Sequence, residues 1–107
     1  MTMTKLFEAM PLRLNTEAAG NMNKTIQWTI TGDEPGVWAI HVAEGAARLI
    51  PGGVEKPDVA FTIKSQDWLA IAEGKLNPMT AFMTGKLKVI GDMMLAMQAP
   101  KLLPVGE

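Results

Sequence analysis

Gly74-Lys-Leu-Asn-Pro-Met-Thr-Ala-Phe-Met-Thr-Gly-Lys-Leu-Lys-Val-Ile-Gly-Asp-Met-Met-Leu-Ala-Met-Gln98 holds two short helices and a strand between clear stop signals. Asn77 followed by Pro78 reads as a helix cap and a proline at the first helical position, where its missing N–H is no loss. Met79, Phe82 and Met83 line one side of that helix, and Gly85 closes it. Lys86 to Ile90 alternates as a strand, presenting Leu87 and Val89 to one face. After Gly91, Asp92 caps a second helix and complements its dipole, and Pro100 is expected to end it. On a helical wheel Met93, Met94 and Met97 share an arc of about 100°, with Leu95 nearly opposite Met97. A short helix that is apolar on nearly all sides needs cover on more than one side. That cover is core, a partner subunit or a bound apolar molecule. Five of the nine methionines fall in this stretch. Methionine adapts to varied apolar partners and equally plugs gaps in ordinary cores, and spacing alone favours the packing role.

Upstream the period changes. Thr25 to Thr31 alternates strictly, with Ile26, Trp28 and Ile30 on one face, which predicts a half-buried strand. Val37 to Val42 returns after the Gly32–Gly36 turn, and Ala46 to Ile50 follows the Glu44-Gly45 turn. Short turns between consecutive strands imply an antiparallel meander. After the Pro51–Pro57 loop, Asp58 to Lys64 alternates with Val59, Phe61 and Ile63 inward. Ser65 reads as the cap of a helix from Gln66 to Glu73, in which Trp68, Leu69, Ile71 and Ala72 span about 160°. At the N-terminal end Thr4 is expected to cap a helix with Leu6, Phe7 and Met10 inward, and Pro11 to force a kink or restart. Thr16 then caps a last turn of helix that stops at Gly20 and Asn21. Hairpin-linked strands, one late strand and helices at both ends give an α+β fold of sheet against helices.

The 107 residues fit a single domain spanning 1–107, and 48% hydrophobic with 20% charged residues is a globular balance. A net charge of -1, with no Lys/Arg run interleaved with aromatics, argues against nucleic-acid binding. There is no cysteine, so disulfides and thiolate chemistry are excluded. Glu8 breaks any signal-like apolar run, and no stretch approaches the roughly 20 apolar residues of a membrane span. Pro104 to Glu107 is not a Ser-Lys-Leu type peroxisomal address. The expected location is the cytoplasm.

Catalytic chemistry is poorly supplied. One serine, one histidine and no cysteine leave Ser65 and His41 as the sole pieces of a hydrolytic set, and nothing in the sequence brings them together. His41 falls on the polar parity of its strand, and a single histidine with scattered carboxylates builds no metal motif. Gly85 to Gly91 lacks the Gly-Lys-Ser/Thr ending of a phosphate loop and alternates like a strand. Lys75, Lys86, Lys88 and Lys101 form a basic rim that reads as solvated, with attraction of an anionic headgroup as its alternative role. The inventory points away from an enzyme and calls for no cofactor.

Taken together, Asp58-Val-Ala-Phe-Thr-Ile63, the run Gly74-Lys-Leu-Asn-Pro78, Ala81-Phe82, Gly85-Lys-Leu-Lys88 and Gly91-x-Met-x-Leu-Ala-Met97 closely resemble the sterol carrier protein 2 family. The likeness covers nearly the whole chain and matches a stand-alone, microbial-type member, without the peroxisomal tail of animal members. It implies a five-stranded, mostly antiparallel sheet covered by short helices that enclose an apolar tunnel. The ligand is then a lipid: a fatty acid, a fatty acyl-CoA, a sterol or another apolar molecule, bound without covalent chemistry. Transient membrane contact, and a monomer or homodimer, go with that picture. Carried over by position, the tunnel is expected to be lined by Trp28, Ile30, Phe61, Trp68, Phe82, Met83, Leu87, Val89, Met93, Met94 and Met97. The family commonly reads Met-Gly-Leu-Ala where this chain has Met93-Met94-Leu95-Ala96, so Met94 is expected to narrow or reshape the tunnel. The alternative role is an accessory domain assisting an enzyme of lipid, acyl-CoA or quinone metabolism.

Overall fold

The computed structural model describes residues 2–105. Met1, Gly106 and Glu107, which belong to the two ends weighed above as addresses, lie outside the described residues. The elements run α1 (Met3–Ala9), a 3-10 turn (Met10–Arg13), α2 (Thr16–Ala19), β1 (Asn23–Thr31), β2 (Gly36–Ala43), β3 (Ala46–Pro51), β4 (Val59–Lys64), α3 (Ser65–Ala72), α4 (Pro78–Met83), β5 (Lys88–Gly91) and α5 (Met93–Leu102). The fold is α+β, a single five-stranded sheet in the order β3-β2-β1-β4-β5.

The strand alternation decides which face the core takes. Ile26, Trp28 and Ile30 of β1, Ile40 and Val42 of β2, and Val59, Phe61 and Ile63 of β4 are buried together with Leu6, Phe7, Trp68, Leu95 and Leu102 from the helices. β1, β2 and β3 form the expected meander. β4 departs from it: it lies beside β1, in parallel, with Trp28 opposite Phe61 and Ile30 opposite Ile63. β5 then adds antiparallel to the far edge of β4. The 52–58 connection therefore has to pass β2 and β1, and along that path the Val54 N–H donates to Gln27 Oε1 at 2.7 Å. Gln27 belongs to the polar face of β1, where His41 Nδ1 also meets Thr25 Oγ1 at 2.8 Å.

Helix starts shift by a residue or two from their expected caps. Thr2, not Thr4, caps α1 by accepting from the Lys5 N–H, and Asn15, not Thr16, caps α2 by accepting from Ala18. Ser65 is the first residue of α3 instead of its cap. Its buried hydroxyl accepts from the Glu34 backbone N–H at 3.2 Å, which pins the β1–β2 turn to the start of α3. In each case a neighbouring polar group reaches the orphan N–H first, or the hydroxyl has a tertiary donor to satisfy. Asn77 and Asp92 cap α4 and α5 as the sequence requires.

Helices α3 and α4 end in the same way. Ala70 O accepts from the Lys75 and Leu76 N–H groups, at 2.8 and 3.2 Å, and Ala81 O accepts from Lys86 and Leu87 at 2.9 and 3.0 Å. Both turns depend on a glycine at positive φ, Gly74 at +77° and Gly85 at +80°, which closes a left-handed helix stop. The repeated Gly-Lys-Leu is thus one local device used twice, and its second copy delivers Leu87 into the core. Pro100 does not end α5, which continues to Leu102. Leu102 and Leu103 are buried, and that burial holds the last turn past a residue with no N–H of its own.

Candidate functional site

Between the sheet and helices α4 and α5 lies a cavity of about 610 Å³. One wall is aromatic. Trp28 and Phe61 lie on neighbouring strands with ring centroids 5.8 Å apart, and Trp68 from α3 meets Trp28 at 6.1 Å. Behind them Phe7 stacks on Trp38 at 4.6 Å and on Trp68 at 5.9 Å, which fixes the indole that forms the wall. Trp68 Nε1 is buried without an acceptor among the described residues.

The other wall comes from Met79 and Phe82 of α4, Leu87 and Val89 around β5, and α5. On α5 the lining residues are Met93, Ala96, Met97, Ala99 and Pro100. Met93, Ala96, Met97 and Pro100 keep i, i+3, i+4, i+7 spacing, one face of a helix. Leu95 and Leu102 are buried on the other side of α5. Leu103, Pro104 and Val105 complete the lining beyond the helix. Among the described residues Asn77 is the lone polar side chain of the wall apart from the tryptophans, and its Oδ1 is already accepting from the Met79 and Thr80 N–H groups. Among the described residues, no charged side chain lines the cavity. Such a wall binds by excluding water and has nothing with which to hold an ion.

Of the eleven residues expected to line a tunnel, the structure brings eight to this cavity: Trp28, Phe61, Trp68, Phe82, Leu87, Val89, Met93 and Met97. Three lie elsewhere. Ile30 shares the parity of Trp28 but sits at the far end of β1, packed solid at 2% exposure. Met83 and Met94 are 78% and 71% exposed and do not line the cavity. The expectation that Met94 narrows the cavity is therefore corrected: its side chain does not line it. Reasoning from sequence missed Ile71, Pro78, Met79 and the whole run Ala96, Ala99, Pro100, Leu103, Pro104 and Val105. The signal for Ala96 and Pro100 was present in the heptad-like spacing from Met93. A second cavity of about 560 Å³ lies against α1 and α3 and shares Ile71 and Val105 with the first, but it carries Arg13 and Glu73 in its lining.

Ser65 and His41 engage different partners, Glu34 and Thr25, and form no catalytic pair with each other. Among the described residues, no cluster of three His, Asp or Glu side chains is placed to hold a metal ion, and no helix is long and apolar enough to cross a membrane.

A sheet backed by an aromatic core, with an apolar cavity under two short helices, is the architecture of a binding domain for apolar molecules. The chain belongs to the SCP-2 sterol transfer family, whose model matches residues 5–104. It is 35% identical over 98 residues to hydroxysteroid dehydrogenase-like protein 2 of Xenopus tropicalis, covering 91% of this chain and 24% of that protein. The chain spans about a quarter or less of the length of the curated relatives it matches. Among solved structures it is similar to the sterol carrier protein domain 2 of Helicoverpa armigera, at 35% identity and a TM-score of 0.71, covering 94% of this chain and 80% of that one. It shares the fold of palmitated SCP2L2 from Aedes aegypti, with a TM-score of 0.77 at 23% identity, covering 100% of this chain and 98% of that one. The family is one of lipid binding and transfer.

Proposed function

We propose that this chain works as a single carrier domain in the cytoplasm, binding a long-chain fatty acid or a similar single-chain lipid in the cavity beneath α4 and α5. The observation that carries the reading is a cavity of about 610 Å³ with no charged lining residue among those described. That volume is in the range of sites that engulf a drug-sized ligand. Each buried methylene is worth about 0.8 kcal/mol, so fifteen give roughly 12 kcal/mol gross. Lost translational freedom and ordering remove a large part of this, which leaves binding near the micromolar range. An affinity of that size suits cargo that must be released. With no cation among the described residues of the wall, the polar end of the cargo stays at the mouth and only the chain is swallowed. Palmitate on the Aedes aegypti relative supports the same ligand class. The domain acts by binding, without covalent steps. An accessory role beside a lipid-, acyl-CoA- or quinone-metabolising enzyme uses the same cavity, and the enzyme-sized relatives are its support.

Trp28 and Trp68 line the cavity and Trp38 does not, so the protein carries its own reporters. Titration with a fatty acid brominated along its chain is expected to quench about two of the three tryptophans saturably, since the quencher acts at contact. Absence of saturable quenching up to the solubility limit of the fatty acid sinks the reading.

A further inference from the structure

Sulfur is distributed unevenly around the cavity. The chain has nine methionines and no cysteine, so thioethers carry all of its oxidisable sulfur. Met3 and Met10 are buried in the core. At the cavity the buried lining is aromatic or aliphatic, with Trp28, Phe61, Trp68, Ile71 and Leu87. Among the described residues, the large apolar lining side chains that reach solvent are Met79, Phe82, Met93 and Met97. Three of those four are methionines, with Met93, Met79 and Met97 at 47%, 53% and 69% exposure. A reagent in water therefore reaches the same side chains that border the cavity.

An oxygen on those sulfurs changes the character of the wall. A thioether is soft and apolar, whereas a sulfoxide is polar and calls for a hydrogen-bond donor. Apart from the tryptophans, Asn77 is the lone polar side chain in the described lining. An oxidised methionine then has two courses. It stays against an apolar cargo as a polar group with no partner, or it turns out to water and uncovers the cargo. Both weaken binding.

We propose that Met79, Met93 and Met97 form a reversible oxidation site for hydrogen peroxide, and that their sulfoxides unload the cavity. A sulfur lone pair takes one peroxide oxygen, the O–O bond breaks, and the other oxygen leaves as water with both protons. Sulfur is oxidised and peroxide is reduced. Methionine sulfoxide reductases reverse the step with thiols as the reductant, the oxygen leaving as water while two thiols become a disulfide. Met83 and Met94 are more exposed still and do not line the cavity, so they undergo the same chemistry without touching cargo. The fold is spared because the aromatic floor of Phe7, Trp28 and Trp68 holds no sulfur. The inference rests on the carrier reading, since unloading presupposes a cargo.

The test treats the full chain with dilute hydrogen peroxide, removes the peroxide, and titrates with the brominated fatty acid while peptide mass mapping locates the added oxygen. Met79, Met83, Met93, Met94 and Met97 are expected to oxidise before the buried Met3 and Met10. Affinity is expected to fall roughly ten-fold for each lining sulfoxide, with urea unfolding still cooperative and reductase treatment restoring the binding. Two variants are read by the ratio of affinities before and after peroxide, whatever their starting affinity. Combined Met79→Leu, Met93→Leu and Met97→Leu is expected to hold that ratio near one, Leu being close to Met in volume. Met83→Leu with Met94→Leu is expected to lose affinity as the parent does. Lining methionines that resist peroxide, or that oxidise with affinity unchanged, overturn the proposal. So do a triple variant that loses as much as the parent, a loss that the reductases leave in place, and unfolding in step with the loss. If the untreated chain shows no saturable quenching, the carrier reading falls and takes this one with it. Binding that is indifferent to peroxide removes this one alone.

Discussion

The two walls of the cavity are built from opposite materials. On the sheet side, Phe7, Trp28, Trp38 and Trp68 lock together with centroid separations from 4.6 to 6.1 Å. Flat rings with two rotatable bonds hold a fixed shape. On the helix side, Met79, Met93 and Met97 come from α4 and α5, six and ten residues long, and Met97 is 69% exposed. Three soft torsions per side chain let that wall follow whatever lies against it. Under the proposed carrier role, a rigid floor beneath a pliable roof suits chains of differing shape without loosening the fold, because the stability resides in one wall and the adaptability in the other.

The comparison is broken most severely at Phe7. Replacing this fully buried ring with alanine leaves a void beneath three tryptophans, and Phe7→Ala is expected to cost about 3–5 kcal/mol in urea unfolding. That is a large share of the 5–15 kcal/mol that domains generally possess. On the pliable side, filling the cavity should spare stability and strike at binding. Ala96→Phe displaces roughly three methylenes of cargo at about 0.8 kcal/mol each, a loss near 50-fold for long fatty acids, with short ones unaffected. Titrating a series of chain lengths reads the difference. Asp92→Ala removes the cap that accepts the Leu95 N–H at 3.1 Å and one partner of Lys24, 3.7 Å away. About 1 kcal/mol should be lost, visible as faster hydrogen exchange in the first turn of α5. The smallest effect is expected at Met94→Gly: at most about 1 kcal/mol of stability, and no change in the longest fatty acid accepted. A gain in chain length there would put Met94 back in the wall.

How much of this could be read from the chain is itself a matter of range. Alternation assigned Ile26, Trp28, Ile30, Val59, Phe61 and Ile63 to the buried face correctly, since a strand's period of two is local. Which of them border open space is not local: Trp28 faces the cavity while Ile30, two residues on, is packed, and only the position of the overlying helices decides it. The same limit hid the parallel pairing of β4 with β1, because a pattern of faces does not name a neighbour. On α5 the helical wheel grouped Met93 and Met97 with Met94, on one side of the arc. The lining stripe takes the other side of Met93 and Met97, with Ala96 and Pro100, and Met94 stands outside it. The caps at Asn77 and Asp92 were legible because an N-cap needs only its own next three residues.

That parallel pairing divides the sheet in time as well as in space. β1, β2 and β3 lie within residues 23–51 and close through short turns. β4 reaches β1 by joining Ile26 to Val59, a separation of 33 residues, and β5 and α5 can dock only after it. Closing the longer loop carries the larger entropic cost, so the meander is placed to form first and the cavity's second strand pair last. Native-state exchange should accordingly find the amides of β5 opening more readily than those of β2. The half of the molecule that roofs the cavity is then also the half that can come apart and close again while the aromatic floor stays assembled.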